Sequence, residues 1–386
     1  MVQKKLNLYE PFLPKDVCKV VNKYIKKNEI STYGTAINLF ENKISKITRS
    51  KFNLATISGS SALCVAIKST GLKKNELVIT QSYTFIATIN SIVHAGGEPI
   101  LLDISKDDLS LNLESVERFI KEKCVVKKKN IFLKKNSKRI AAICLVLSFA
   151  IVPNLKKLKN FQKLYNIKVI LDAACALGSK YENQALTKFC DVAIYSFNGN
   201  KTLTTGGGGL IATDKKRIFN DSKLLITNGK SSRYEYSRIA YNYKMTNLNA
   251  AIGLTQIKSF NYILRRKRFI SSIYKKKLQK LPINFLPISK FEKTNHWINF
   301  VELRDSKKAI DLIKYLNKHN INTFLFWKPM HLQKLDYKIE KYQLNYTNLI
   351  WNKIVPLPSH PNLSKKDIFF VINTIKKFFN EQNSSK

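Results

Sequence analysis

At 386 residues the chain is longer than one ordinary domain, and its hydrophobic content of 44% can fill two cores, or a large core and a smaller one. Its net charge of +41, from 67 basic and 26 acidic residues, would by itself favour a polyanion as partner. The lysines, however, are spread along the whole chain, whereas a nucleic-acid site concentrates charge on one face beside stacking aromatic rings. Nucleic acid is therefore not the expected partner, although this charge would attract anionic substrates such as nucleotide diphosphates.

Neither the apolar runs nor the cysteines indicate a membrane protein, a secreted protein or a metal site. The longest nearly apolar run, Ile140 to Val152, is shorter than the ~20 residues that span a bilayer, and it is predicted as a buried strand. The N-terminal segment lacks the apolar stretch of a signal peptide. The six cysteines are scattered, with no CxxC pair and no histidines at metal-ligand spacing. We expect a reduced, cytoplasmic, metal-free protein without a membrane segment.

From Leu54 onward, short apolar runs alternate with stretches of helical spacing such as Ala62–Ser69 and Leu155–Leu164. Several runs are apolar throughout, as expected for strands that helices cover on both faces. The predicted strands are Leu54–Ser58, Leu77–Thr80, Pro99–Ile104, Ile140–Phe149, Val169–Asp172, Val192–Phe197 and Leu210–Thr213. This order is typical of an α/β domain with a mainly parallel sheet, in which chemistry collects at the carboxyl ends of the strands.

The pattern changes after about Asn247. The predicted elements there are a long basic helix, a strand and two further helices: Asn249–Leu281, Trp297–Leu303, Lys307–His319 and Lys365–Phe379. We therefore expect a large domain, including the N-terminal segment, over residues 1–255. A linker helix and a smaller C-terminal α+β domain are expected over residues 256–386.

The first candidate for chemistry is the segment Ile57–Leu63, in which a strand passes through a glycine turn with hydroxyl groups into a helix. Free backbone N–H groups and the positive end of a helix dipole would then lie beside Ser60 and Ser61, as in a phosphate site. The simpler interpretation is a serine that caps the helix.

The second candidate is Asp172, the last residue of a predicted buried strand. A buried carboxylate is costly without a cationic partner or a function. In enzymes that use pyridoxal 5'-phosphate (PLP), an aspartate keeps the pyridine nitrogen protonated, so that the ring accepts electrons. The alternative is an ordinary aspartate that caps the next turn.

The third candidate is Lys201, which lies 29 positions after Asp172 between a predicted strand and a turn of four glycines, Gly206–Gly209. A lysine held in such a turn, unlike the many solvated lysines of this chain, could act as a nucleophile and then carry a proton. The glycines alone would indicate only a turn.

These three segments occur in the order phosphate site, pyridine aspartate and reactive lysine, and the chain resembles the DegT/DnrJ/StrS-type sugar-nucleotide aminotransferases. The resemblance extends from about Gly34 to the helix Lys365–Phe379. Besides the segments of Asp172 and Lys201, it rests on Ser58–Leu63, Val78–Thr88, Ala95–Pro99, Tyr241–Gly253, Pro329–Gln333 and Pro356–Pro361. It implies a fold-type I PLP-dependent transferase, with a large domain built on a mainly parallel mixed sheet and a smaller C-terminal α+β domain.

The resemblance also implies roles for individual residues. Lys201 and Asp172 would be catalytic, with Lys201 as the residue that binds PLP covalently. The other residues implied to contact the cofactor are Ser60, Ser61 and Ser196 at the phosphate, Asn242 at the phosphate from the partner subunit, Phe85 stacked on the ring, and Cys175 beside it. Lys244 and His331 would bind substrate. A site shared in this way implies a homodimer.

Three departures from the family pattern affect the details. Cys175 stands where the family usually has Gln, His or Glu, and Lys244 replaces a usual Arg, which weakens any bidentate contact with an anion. Ser148–Ile151 replaces a common His-x-x-Gly segment. These changes put in doubt the contact of residue 175 with the ring and the shape of the pocket wall.

The implied reaction is amino transfer from L-glutamate to a 4-keto-6-deoxy sugar carried on a nucleotide, for the synthesis of surface glycans. Segment Ser196–Gly209, residues Thr80 and Gln81, and the basic insertion near Lys127–Arg139 favour the branch that acts on UDP-linked N-acetylhexosamines. GDP-linked and dTDP-linked sugars are alternatives. So are two other functions: a dehydratase dependent on pyridoxamine phosphate (PMP), in which histidine typically replaces the lysine, and a non-catalytic relative that binds polyanions.

Overall fold

The computed structural model describes residues 5–286, 288 and 292–384. Its helices are α1 Val17–Ile25, α2 Thr35–Thr48, α3 Gly59–Ser69, α4 Ile86–His94, α5 Leu113–Lys123, α6 Leu155–Leu164, α7 Lys216–Ile226, α8 Asn247–Leu278, α9 Ser306–Lys318, α10 Asn345–Ile350 and α11 Lys365–Ser384. Short 3-10 turns lie at Ser148–Ala150, Leu186–Phe189 and Met330–Leu332.

The strands of the N-terminal two thirds are β1 Phe52–Thr56, β2 Leu77–Gln81, β3 Glu98–Leu102, β4 Cys124–Lys127, β5 Asn130–Leu133, β6 Arg139–Val146, β7 Lys168–Asp172, β8 Lys180–Tyr181, β9 Val192–Ser196, β10 Gly209–Thr213, β11 Lys230–Ser232 and β12 Glu235–Tyr236. The C-terminal third adds β13 Ile283–Asn284, β14 Glu292–Lys293, β15 Asn299–Leu303, β16 Glu340–Lys341 and β17 Ile354–Leu357.

A large mixed sheet organises most of the chain, in the order β1-β10-β9-β7-β6-β2-β3-β16. The pairs from β9 to β16 along this order are parallel, and β10 pairs antiparallel with both β9 and β1. Alternate residues of its strands enter different apolar clusters: Val169 and Leu171 of β7 lie in one, and Ile170 lies in another that includes residues of α3 and α7. The sheet is thus covered on both faces, as the apolar runs predicted.

The strand predicted over Ile140–Phe149 ends earlier, at Val146. Beyond it the backbone forms a 3-10 turn in which Phe149 has a φ of 54°. The reason lies in a neighbouring strand: the Gln81 side chain accepts a hydrogen bond from Val146 N (3.1 Å) and donates one to Ser148 Oγ (3.0 Å). A buried amide therefore satisfies polar groups where the ladder stops, and the apolar sequence does not reveal this.

The basic segment near Lys127–Arg139 forms a hairpin, β4 and β5, that joins the large sheet through β6. Its two turn residues, Lys128 and Lys129, have φ values of 47° and 66°, which suit a two-residue turn between antiparallel strands. Among the described residues, no helix is long and apolar enough to cross a membrane.

The C-terminal part forms a smaller α+β layer. Strands β13, β15 and β17 make an antiparallel sheet, and residues of α8, α9 and α11 share an apolar cluster with it. Helix α8 runs over Asn247–Leu278 and begins at Thr246, whose side chain accepts a hydrogen bond from Asn249 N. The predicted boundary between residues 255 and 256 falls inside this helix, and β16 pairs with the large sheet. The division into domains remains a prediction.

Candidate active site

Several strands of the large sheet end beside one cavity of about 340 Å³. Parallel strands bring their carboxyl ends to the same edge of a sheet, which is where α/β proteins usually bind ligands. The predicted site residues that line this cavity are Ser60, Phe85, Asp172, Cys175, Ser196 and Lys201. The fold thus brings six of the predicted site residues together at one edge of the sheet.

The N-terminus of α3 forms one wall of the cavity. Ser58 caps the helix by accepting a hydrogen bond from Ser61 N (3.0 Å), and its carbonyl accepts one from Ala62 N. The N–H groups of Gly59 and Ser60 have no acceptor among the described residues, as is usual in a first helical turn. A Cβ atom on Gly59 would lie 2.7 Å from Cβ of Ser196, so only glycine permits this approach of helix and strand. The serine cap is present, and the turn still leaves donors for an anion, so the phosphate site stays a prediction.

Asp172 is a buried carboxylate at the end of β7. It accepts hydrogen bonds from Thr88 Oγ1 (2.9 Å) and from Ala174 N (3.2 Å). Burial raises the pKa of its carboxyl group above the ordinary value, while these two donors and the charge of Lys201 oppose that rise. A cation in the cavity would have the same lowering effect on the pKa, so this carboxylate is suited to pair with a protonated ring nitrogen.

Lys201 reaches the same cavity from the turn after β9. Its ammonium group donates a hydrogen bond to Cys175 Sγ (3.1 Å) and lies 4.5 Å from the centre of the Trp297 ring. Burial raises the pKa of the Cys175 thiol, which keeps the sulfur neutral at pH 7. Within the chain Cys175 contacts the amine of Lys201, and its contact with a cofactor ring stays a prediction.

Trp297 is fixed by two hydrogen bonds that the sequence did not indicate. Its indole N–H donates to the carbonyl of Asn200 (2.7 Å), next to Lys201, and its own carbonyl accepts from the Lys267 amine (2.9 Å). The same amine donates to the carbonyl of Ser359 (2.9 Å), and burial lowers the pKa of Lys267 to about 7. The long helix α8 is thereby linked to the turn that carries Lys201.

The lining residues that were not predicted as site residues include Thr88, Asn200, Trp297 and Trp327. Thr88 had a usable signal, because it lies in the first turn of α4, three positions after the predicted Phe85. Trp297 and Trp327 come from the C-terminal part of the chain, and only the folded arrangement places them beside Lys201. The Phe85 ring, 55% exposed, lies 6.4 Å from the Trp327 ring at the cavity.

The other predicted site residues do not line this cavity. The Ser61 hydroxyl pairs with Ser58 Oγ (2.8 Å), Lys244 lies over the Tyr33 ring (5.3 Å), and Asn242 is exposed. The two ring nitrogens of His331 are hydrogen-bonded, Nδ1 with Ser82 Oγ (2.6 Å) and Nε2 with Asn348 Oδ1 (2.7 Å). Their proposed contacts with cofactor or substrate stay predictions. Within the described residues, no group of His, Cys, Asp or Glu could hold a metal ion.

Curated relatives match nearly the whole chain. GDP-perosamine synthase of Escherichia coli O157:H7 is 29% identical over 98% of this chain and 100% of its own length. A Campylobacter jejuni enzyme, UDP-4-amino-4,6-dideoxy-N-acetyl-beta-L-altrosamine transaminase, is 27% identical over 90% of this chain and 91% of its own.

The fold also matches solved structures. NtdA of Bacillus subtilis, solved with bound cofactor PMP, superposes with a TM-score of 0.84 and 21% identity over 95% of this chain and 82% of that one. This match concerns the fold, and it confirms the expected fold-type I α/β architecture. Residues 13–376 match the DegT/DnrJ/EryC1/StrS aminotransferase family. The chain therefore belongs to this aminotransferase family, as its Asp172 and Lys201 segments indicated.

Proposed function

We propose that this chain is a PLP-dependent aminotransferase that moves the amino group of L-glutamate to a 4-keto-6-deoxy sugar carried on a nucleotide. The observation that carries the proposal is the shared cavity of a reactive lysine, Lys201, and a buried carboxylate, Asp172. Family membership supplies the class of reaction. The donor and the sugar are inferred from the family resemblance.

The residues of the cavity fit PLP in three respects. The first turn of α3 offers the N–H groups of Gly59 and Ser60 and the Ser60 hydroxyl to a phosphate, and Ser196 at the end of β9 offers a second hydroxyl. Asp172 offers a negative charge to a pyridine nitrogen, and the aromatic face of Phe85 suits a planar ring. Lys201 would hold the aldehyde carbon.

When bound, PLP supplies an electron sink that stabilises negative charge on the carbon next to the transferred nitrogen. The protein contributes proton transfer and orientation. Once free, the Lys201 amine can act as a general base and take a proton from that carbon. It can then act as a general acid and deliver the proton to the carbon on the other side of the transferred nitrogen. The neutral Cys175 thiol accepts a hydrogen bond from this amine, which directs its nitrogen. The Trp297 ring lies 4.5 Å from the amine and covers one side of it.

The nucleotide and the sugar are the finer part of the proposal. The Campylobacter relative is named for a UDP-linked 4-amino-4,6-dideoxy sugar, and the Escherichia relative is named for a GDP-linked one. A 4-keto-6-deoxy sugar is the ketone from which such a 4-amino sugar forms. We propose a UDP-linked N-acetylhexosamine as the first substrate to try, with the GDP-linked and dTDP-linked sugars as alternatives. Lys244 and His331 are the proposed substrate contacts.

Incubation with 4-keto-6-deoxy sugars on UDP, GDP and dTDP, with L-glutamate as donor, tests the proposal directly. Mass spectrometry should detect the 4-amino product with one of these substrates, together with 2-oxoglutarate formed in equal amount. A parallel incubation without glutamate is the control, because a dehydratase would change the sugar without consuming the donor. No amination of any sugar by protein that is shown to contain PLP would refute the proposed substrate class.

We also propose that the active protein is a homodimer with shared sites. Asn242 is exposed and does not line the cavity of its own chain, so it is available to a second one. The segment before it exposes apolar side chains to an unusual degree: Ile239 is 98% exposed and Tyr234 78%. A partner chain that covers this segment would bury them and bring Asn242 to its own phosphate site.

Subunit exchange tests the shared site. Lys201→Ala and Asn242→Asp should each be inactive, the second because a carboxylate replaces a neutral donor beside a phosphate. Mixing the two chains should restore activity, since one site of the heterodimer has Lys201 from one chain and Asn242 from the other. Turnover after mixing, with exchange followed by a mass tag on one chain, is the measurement.

The matched control is a mixture of Lys201→Ala with Asp172→Asn. Both residues belong to the same chain's cavity, so every heterodimer site carries one lesion and activity should not rise above the residual rate of Asp172→Asn alone. If exchange occurs, both parents are inactive and the Asn242 mixture also stays inactive, the shared site does not exist.

The cytoplasm remains the proposed compartment, because all six cysteines are free thiols, as in reducing compartments.

A further inference from the structure

A second cavity, of about 1010 Å³, lies between α2, α8 and the two-stranded ribbon of β8 and β14. It has about three times the volume of the active-site cavity, and the two share no lining residue. Gly178, three positions after Cys175, and His296, next to Trp297, place it behind the segments that reach Lys201. Nothing in the proposed transfer reaction uses this space.

The cavity concentrates positive charge well beyond the chain average. Of its 17 lining residues 7 are Lys or Arg, against 67 of 386 in the chain. They are Lys43, Lys46, Arg49, Lys180, Arg265, Arg268 and Lys293. Within the described residues, none of the seven forms an ion pair with a carboxylate. A general excess of lysine spreads charge evenly, and so does not account for this concentration.

Like charges are paired in each of the three elements that enclose the cavity. Lys43 and Lys46 are three positions apart on α2, as are Arg265 and Arg268 on α8, and residues at this spacing are neighbours on a helix face. Lys180 and Lys293 are direct partners in the antiparallel ribbon, where like charges destabilise the pair. Three repulsive pairs thus face one space.

Lys180 lies among several of these charges. Burial and then the charges of Arg49, Lys293 and Arg268 lower the pKa of its ammonium group. Arg49 is directed toward the ribbon by a hydrogen bond from its guanidinium to the carbonyl of Asn183 (3.1 Å). An anion with several charges would offset the repulsion, and each contact would be assisted by charge.

The floor of the cavity is apolar, with Ile47, Ile257, Phe260 and Leu264. Gly178 lies against Phe260 with a φ of 83°, and a Cβ atom there would be 2.8 Å from the ring. The cationic walls suit an anion, and the apolar floor leaves room for a flat or apolar group attached to that anion.

We propose that this cavity is a binding site for an oligophosphate, the anionic group shared by inorganic polyphosphate and nucleoside triphosphates, separate from the active site. Seven cations in three elements match an extended anion with three or more charges better than a single phosphate. This inference does not depend on the proposed substrate.

Calorimetric titration of the PLP-loaded protein with inorganic tripolyphosphate, at 150 mM salt, tests the site. We expect one ion bound per chain in this cavity, and binding weaker by about 10-fold or more in Lys43→Gln/Lys46→Gln and in Arg265→Gln/Arg268→Gln, since each variant removes two nearby charges. The matched control is Lys314→Gln/Lys318→Gln on α9, which makes the same change in net charge at exposed helix positions and should bind as the parent does. All variants should retain bound PLP.

Thermal unfolding without the anion gives a second, independent measurement. The two cavity variants should melt higher than the parent, because each removes one of the repulsive pairs that face the cavity, and tripolyphosphate should raise the melting temperature of the parent more than that of either variant. ATP in place of tripolyphosphate separates the two sources: tighter binding of ATP assigns the site to nucleotides, and weaker binding assigns it to inorganic oligophosphates. No binding of either probe, or equal weakening in the α9 control, would overturn the proposal.

Discussion

Lys201→Ala is expected to eliminate amino transfer while leaving the chain folded. The ammonium group lost in this variant contacts Cys175 Sγ and the Trp297 ring, and it is the only amine that the described residues bring into the cavity. Loss of these polar contacts at a half-buried position should cost on the order of 1 kcal/mol in the free energy of unfolding. Turnover with glutamate and the sugar substrate, and the absorbance of the lysine-bound cofactor, should both disappear, and the unfolding transition should remain.

Two further substitutions define what the amine does. Lys201→Arg keeps the positive charge, but a guanidinium group does not give up a proton, so it should be as inactive as alanine. Lys314→Ala removes an exposed lysine of α9 and should leave turnover unchanged. Normal turnover by Lys201→Ala would refute the assignment of this lysine and the mechanism with it.

Asp172→Asn is expected to bind PLP and to turn over more slowly by ~10²-fold or more, because the ring loses the charge that keeps its nitrogen protonated. The amide has the shape of the carboxylate and can keep the hydrogen bond from Thr88, so the fold should be retained. Rapid-mixing measurements of the half-reaction with glutamate would isolate this step from sugar binding.

Thr88→Val is the graded control for that experiment. It removes the 2.9 Å hydrogen bond to Asp172 and leaves the charge, so the half-reaction should slow by less than it does in Asp172→Asn. A wild-type rate in Asp172→Asn would mean that the carboxylate only caps its turn through Ala174 N.

The sequence was most informative where chemistry follows directly from strand ends. Ser60, Asp172 and Lys201 could be found because each comes just after an apolar run, and parallel strands collect such positions at one edge of a sheet. The order of the three segments then led to the family, which the match over residues 13–376 confirms.

What the sequence did not reveal are contacts between distant segments. Trp297 was predicted as the start of a strand, yet its indole reaches Asn200 and its ring covers Lys201. The early end of β6 depends on the side-chain amide of Gln81 in another strand, and the apolar sequence of β6 does not indicate that contact. Patterns of period two or 3.6 describe faces of single elements, so they do not predict which side chains cross between elements.

Helix α8 spans about 48 Å at 1.5 Å per residue, and its two ends belong to different cores. Ala251 and Leu254 lie in the apolar cluster of the large sheet, whereas Ile270 and Tyr274 lie in that of the small one. Most of the stability of a helix in a protein comes from the packing of its apolar face, so unfolding of either core would leave the half of α8 that packs on it without support. The two cores should consequently lose their structure in one cooperative step, and amides along the middle of α8 should exchange with solvent only when the whole chain unfolds.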